Sequence, residues 1–301
     1  MSAGDAGDAR ERPPSAGAAR VGRPIECGVI LHPAGHTRSP AMHNAAYRAL
    51  RLDAVYHAWD VPPSGLAAAV AGFRRREVRQ ISVSIPHKEA MLALVDELEP
   101  VVQAIGALNT VLHEGDRLIG TNTDWIGALA ALERIEPVKG QRAAVLGAGG
   151  TARAVVHALR QRGCEVFVLN RTRERAQALV RALGGAGACA LDALAGLAPS
   201  IVVNTTSVGM NEWRSPVAPE AFRDGMVVLD AVYAPERTRL LAEAEARGAR
   251  VVGGKWMLVH QAVEQLRRWT ARLPSPPSAE AMAGVVDVMA EAFDAVGRDT
   301  A

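Results

Sequence analysis

The sequence is poor in cysteine and lysine, carries almost no excess charge, and has no long apolar run. Its three cysteines, Cys27, Cys164 and Cys189, are an odd number without C-x-x-C spacing. That speaks against a disulfide framework or a structural zinc site and fits a reducing cytoplasm. No stretch approaches the ~18 uninterrupted apolar residues of a membrane helix. Thirty-four basic and 32 acidic side chains leave a formal charge of +2. Such a balance gives no broad field for nucleic acid or an anionic membrane, so a small-molecule partner is expected. The basic run Arg74–Arg76 with Arg79 has no interleaved aromatics and reads as a solvated helix end. His32 and His36 are separated by Pro33-Ala34-Gly35, and His87, His157 and His260 are isolated, so no metal site is expected. Lysine occurs only at Lys88, Lys139 and Lys255, every other basic residue being arginine. Any role that needs a titratable amine, and not positive charge alone, has three candidates.

What is present describes a globular chain: 301 residues, 49% apolar and 22% charged, enough for about two domains. Residues 1–23 are rich in Ala, Gly, Pro and charge. They lack the apolar core of a secretory signal, and Asp5, Asp8 and Glu11 do not suit a transit peptide, so a disordered tail is expected there. Beyond it, strand-length apolar runs alternate with helical patterns, which predicts an α/β architecture with largely parallel sheets. Strands are expected at Cys27–Leu31, Val55–Trp59, Gln80–Ile85, Ala143–Leu146, Glu165–Leu169, Ser200–Val203 and Met226–Ala231. Helices are expected near Ala41–Leu50, Ser64–Arg74, Lys88–Val95, Ile126–Leu132, Thr151–Arg162, Arg173–Leu183, Thr238–Ala246, Met257–Thr270 and Ala279–Ala295. Pro137 and Gly140 mark a seam near Glu133–Gln141 where a second domain is expected to begin.

From Arg142 the chain runs strand, glycine turn, helix, strand within about 30 residues, the context that a dinucleotide fingerprint requires. Gly147, Ala148, Gly149 and Gly150 form the turn, with Ala152 at the third small position, and the helix that follows offers its N-terminal N–H groups to phosphates. An NAD site would place Asp or Glu at the end of the second strand. This chain has Asn170, Arg171, Thr172, Arg173 and Arg175 instead, which favours the 2′-phosphate of NADP(H). The same arginines also read as a solvated helix start in an arginine-rich protein.

In the first half, Ser39-Pro40 is a helix start with serine at the N-cap, beside Thr37, where an anion is welcome. An S-P start is also a common cap with no further role. Lys88 follows the apolar strand Ser82–Ile85 and Pro86, where a strand ends at the mouth of a cleft. Asp124 lies in Asn122-Thr123-Asp124 before a helix. Taken singly, a Lys and an Asp are most often a surface pair.

Taken in order, HTRSPAMHN (36–44), SVSIPHKE (82–89), GALNTV (106–111), NTDWIG (122–127), GAGG (147–150), NRT (170–172), NTTSVGM (204–210) and GGKWMLVHQA (253–262) resemble shikimate dehydrogenase from about Cys27 to Gln261. The resemblance implies a two-domain enzyme interconverting shikimate and 3-dehydroshikimate with NADP, a step toward chorismate and the aromatic amino acids. Its domains would be a substrate domain, 24–125 with 257–301, and a Rossmann-type doubly wound NADP domain, 126–256. The C-terminal helices would return to the substrate domain. By residue-by-residue carry-over, Lys88 and Asp124 are catalytic. Thr37, Ser39 and Tyr233 face the substrate carboxylate, and Ser84, Asn109 and Gln261 the ring hydroxyls. Thr206, Ser207, Gly254 and Met257 line the nicotinamide side, and hinges are expected near 122–127 and 253–257. Lys139 then belongs to the domain seam and Lys255 to a cofactor-side turn. Thr37, Ser82, Ser84, Trp125 and Trp256 depart from the commonest family residues, with Trp256 able to reshape the pocket. The alternatives are a quinate or aminoshikimate-type dehydrogenase, or a non-catalytic NADPH-binding module.

Overall fold

The computed structural model describes residues 23–35 and 37–299. His36 and, apart from Arg23, the tail expected at 1–23 lie outside the described residues. In chain order the first elements are β1 (Ile25–Leu31), α1 (Ser39–Ala49), β2 (Ala54–Asp60), α2 (Leu66–Arg75), β3 (Gln80–Val83), β4 (Glu97–Leu98), α3 (Pro100–Ile105), β5 (Thr110–Glu114), β6 (Arg117–Thr121) and α4 (Asp124–Leu132). Then come β7 (Arg142–Leu146), α5 (Gly150–Gln161), β8 (Glu165–Leu169), α6 (Arg173–Leu183), β9 (Gly187–Cys189), α7 (Leu194–Leu197), β10 (Ile201–Asn204), β11 (Val227–Asp230), α8 (Arg239–Ala246) and β12 (Arg250–Val252). The chain closes with α9 (Gly254–Thr270), α10 (Ala279–Ala283) and α11 (Val285–Asp299).

The second sheet, ordered β12-β11-β10-β7-β8-β9, is parallel throughout. Counted from its own first strand, that is the doubly wound order whose direction reverses between β7 and β10, the place where such sheets take ligands. Its strands are almost wholly apolar because helices cover both faces. Val145, Val166 and Val203 pack with α4 and α5 on one side, while Ala144, Val202 and Val228 pack with α8 on the other.

The first sheet, ordered β2-β1-β3-β5-β6-β4, is mixed. Its antiparallel part is β5, a strand the sequence did not suggest, which runs antiparallel to both β3 and β6. Only Gly115 and Asp116 separate β5 from β6, and so short a link permits no parallel crossover. The helix expected at Lys88–Val95 is a single 3-10 segment, Ala90–Leu94. The Lys88 carbonyl is already taken by the Leu108 N–H at 3.0 Å and so lies outside any helical ladder. The last expected helix is divided at Gly284.

On one face of this sheet Met42, Tyr47, Leu266, Trp269, Met289 and Phe293 bring α1, α9 and α11 together, so the C-terminal helices pack on the N-terminal half. The boundaries expected at 125/126 and 256/257 fall inside α4 and α9, which pack on each other. No helix among the described residues is long and apolar enough to cross a membrane. All three cysteines carry free thiols.

Candidate active site

The carboxyl ends of β1 and β3 and those of β7 and β10 face one cavity of about 510 Å³. Thr37, Ser39, Ser84, Lys88, Asn109, Asp124, Tyr233 and Gln261 line its substrate-sheet side. Gly149, Gly150, Arg175, Thr206, Ser207, Gly254 and Met257 line the other. Gly147, Ala148, Asn170, Arg171 and Thr172 stand outside that lining.

At the centre the Lys88 ammonium donates to Asp124 Oδ2, with the lysine side chain 15% and the aspartate side chain 7% exposed. Asp124 opens α4, where its charge suits the helix N-terminus. Its other oxygen accepts from Asn109 Nδ2 at 2.8 Å, and its N–H donates to Asn122 Oδ1 at 2.9 Å. Asn109 is spent on this scaffold, sharing its amide hydrogens also with Thr123 Oγ1 (2.9 Å) and Gln261 Oε1 (3.1 Å) while its Oδ1 accepts from Thr123 N–H at 2.7 Å. A buried ion pair held by so many bonds is costly to halve, because one charge would remain unpaired.

Behind it runs a second polar layer. Ser82 Oγ accepts from Tyr56 (2.6 Å) and Gln80 (2.9 Å) and donates to Gln265 Oε1 (2.8 Å), so this hydroxyl has no capacity left. Gln265, also in the cavity wall, was not anticipated, although its i+4 spacing from Gln261 places both on one face of α9.

The α1 start differs from expectation: Arg38 is the N-cap residue and Ser39 the first helical position, so the Ser39 side chain makes no capping bond. Thr37 Oγ1 accepts from the Ser39 N–H at 3.3 Å instead. Thr37 also hydrogen-bonds Tyr233, whose hydroxyl is pushed above the ordinary phenol range by burial.

Behind the opposite wall Gly147 sits at φ +110°, and a Cβ there would meet Thr205 Oγ1 at 2.6 Å, so only glycine serves. The Asn204 side chain accepts from Thr206 N–H (3.0 Å) and Oγ1 (2.7 Å) and donates to Asp230 Oδ1 at 2.9 Å. Asp230 also accepts from Val232 N–H (3.0 Å) and pairs with Thr238 Oγ1 (2.7 Å). Burial raises its pKa to about 6. It was not singled out, though it ends a parallel strand at the ligand-facing edge of the sheet.

Two lysine and tryptophan expectations are corrected. Lys255 does not turn toward the cofactor side; it pairs with Asp294 of α11 at 2.5 Å. Trp256 lies outside the cavity lining, packed on the domain core with Arg134 stacked 3.4 Å above its ring. Trp125 sits in the same core, edge-on to His157. Among the described residues no three His, Cys, Asp or Glu side chains cluster as a metal site would require.

A dinucleotide fits the residues present. Open space lies where a Gly149 Cβ would stand, at the N-terminus of α5. Beyond β8 the exposed Arg171, Arg173 and Arg175 have no carboxylate partner among the described residues.

A doubly wound dinucleotide sheet facing a lysine–aspartate pair on a second sheet defines a two-domain nicotinamide-dependent dehydrogenase. The family described as "Shikimate dehydrogenase substrate binding domain" matches residues 29–111, and "Shikimate / quinate 5-dehydrogenase" matches residues 129–214. The chain is 45% identical over 249 residues to shikimate dehydrogenase (NADP(+)) of Thermococcus kodakarensis, covering 82% of this chain and 91% of the relative. The corresponding Moorella thermoacetica protein is 44% identical, covering 89% and 93%. Among solved structures, the Thermus thermophilus shikimate 5-dehydrogenase in complex with NADP(H) and shikimate superposes with a TM-score of 0.79 at 40% identity, covering 89% of this chain and 99% of that one. The chain belongs to the shikimate dehydrogenase family.

Proposed function

We propose that the protein is a shikimate dehydrogenase, reversibly reducing 3-dehydroshikimate to shikimate with NADPH. The observation that carries this reading is the largely buried Lys88–Asp124 pair facing the glycine turn of a dinucleotide sheet across one cavity. The substrate unit is 24–125 with 257–301, and the cofactor unit 126–256.

NADP(H), when bound, supplies or accepts the hydride. Its pyrophosphate would lie on Gly147–Gly150 and the start of α5, its 2′-phosphate near Asn170, Arg171, Thr172 and Arg175, and its nicotinamide by Thr206, Ser207, Gly254 and Met257. As the ketone carbon takes hydride, its oxygen becomes an alkoxide and needs a proton. Lys88 hydrogen-bonds that oxygen, stabilises its charge and gives the proton; in the reverse direction it receives it. Asp124 holds the ammonium in place and accepts from a ring hydroxyl. Ser84 and Gln261 complete the hydroxyl contacts, while Asn109 braces Asp124. Ser39, free of capping duty, joins Thr37 and Tyr233 around the substrate carboxylate. A substrate lacking one of these hydroxyls would leave a polar group unpaired, which is how such a site discriminates.

The test is NADP⁺ reduction followed by nicotinamide absorbance, with shikimate and quinate side by side. Turnover of shikimate with a kcat/KM at least tenfold above that for quinate is expected. Preference for quinate would replace the substrate, and NADPH binding without turnover of either would leave a binding module.

A further inference from the structure

We propose that Thr151, on the dinucleotide side of the cavity, is a positioning residue for Lys88. The inference rests on the dehydrogenase reading but concerns a residue that the reading does not use. Thr151 is the second residue of α5, and its Oγ1 accepts a hydrogen bond from the Lys88 ammonium at 3.2 Å. The ammonium is therefore gripped from both sides of the cavity, by Asp124 of α4 and by Thr151 of α5. A tetrahedral –NH₃⁺ group has three N–H bonds, so fixing two fixes the direction of the third. That third bond is the one left for a substrate oxygen.

The surroundings hold Thr151 at this distance. Gly150 brings the backbone of α5 so close that a Cβ there would meet Lys88 Cβ at 3.0 Å. One turn further on, Arg153 Nε donates to the Ile105 carbonyl at 2.7 Å, and Ala154 packs in an apolar contact with Ile105 and Ala107. The helix that begins at the glycine turn is thus docked on the substrate unit at three successive points. Because Thr151 Oγ1 accepts from Lys88, its own O–H remains available to donate into the cavity it lines. The amine is aimed only while the dinucleotide helix is seated against the substrate unit, which ties proton delivery to the relative placement of the two sheets.

Two substitutions test this. Thr151→Val keeps the shape and removes the acceptor; Thr151→Ser keeps the acceptor. Protein labelled with ¹³C at lysine Cε gives three signals, from Lys88, exposed Lys139 and Lys255 in its Asp294 pair. Spectra are recorded without substrate or cofactor, so their outcome is independent of which ring acid is turned over. Thr151→Val is expected to move the Lys88 signal, leave the other two in place, and lower kcat about tenfold with shikimate KM within about twofold. Thr151→Ser should restore both readouts. An unmoved Lys88 signal in Thr151→Val, whatever its activity, overturns the proposal, as does a serine variant no better than valine. The Lys255 signal reports the fold in the same spectrum, and Thr151→Ala carries the same test if valine does not fold.

Discussion

Gly150 and Lys88 touch across the line where the two sheets meet: a Cβ on residue 150 would stand 3.0 Å from Lys88 Cβ and 3.4 Å from its Cδ. The last glycine of the turn is therefore constrained by the lysine stem as well as by any phosphate. Gly150→Ala should displace Lys88 by a few tenths of an ångström, enough to disturb a positioned proton donor. We expect kcat to fall about tenfold, or about 1.4 kcal/mol in barrier. Measuring kcat beside the NADP⁺ dissociation constant checks it. A fall in affinity with kcat intact would place the whole effect on the dinucleotide.

Lys88→Arg keeps positive charge beside Asp124 while substituting a guanidinium that does not give up its proton in the working pH range. The longer planar group must also fit a space bounded by Asp124, Thr151 and Gly150. Turnover in both directions is expected to drop at least a hundredfold, with the cofactor dissociation constant within about threefold. Full turnover in steady-state assays would mean that charge alone suffices at this position.

The glycine turn, a helix start near Pro40 and the strand end before Lys88 were legible because each is a local pattern, whereas the capping role expected of Ser39 was not, since the helix begins one residue earlier. The doubly wound sheet was legible because its strands carry continuous apolar runs such as Val166–Leu169, packed on both faces. The hairpin β5–β6 was not, because its two short strands follow a helix of six residues and are parted by Gly115-Asp116 alone. Ser82, Gln265 and Asn109 form one buried layer only after β3, β5 and α9, far apart in the chain, are packed together. Lys255 misled because its neighbour Gly254 does line the cavity, while the lysine side chain turns to Asp294 on α11.

Arg171 stands just past β8 on the exposed edge of the dinucleotide sheet, with no carboxylate partner among the described residues. A guanidinium there pairs with a 2′-phosphate, whereas a carboxylate repels it and accepts instead from a free ribose hydroxyl. Arg171→Asp is expected to lower kcat/KM for NADP⁺ by at least tenfold and to raise the NAD⁺ to NADP⁺ ratio. An unchanged ratio would move phosphate recognition to Arg173 or Arg175.

Asp230 links the two walls of the site, since its carboxylate holds Asn204 beside Thr206 and the Val232 N–H beside Tyr233. Burial raises its pKa from 3.8 to about 6. A group that binds its proton more tightly folded than unfolded contributes stability that is fully present below the unfolded value and is lost as pH rises through the folded one. Between about pH 4 and pH 6, Asp230 should therefore make the protein less stable with rising pH, by roughly 3 kcal/mol in all. Asp230→Asn keeps an oxygen for Asn204 and Val232 but carries no titrating proton, so its unfolding free energy should show a shallower decline over that window. Urea unfolding of both proteins at pH 4.5 and pH 7 measures the difference. If the two stability profiles run parallel, the desolvated carboxyl is not the source of the slope, and the Asn204–Asp230–Thr238 bonds hold the aspartate ionised throughout.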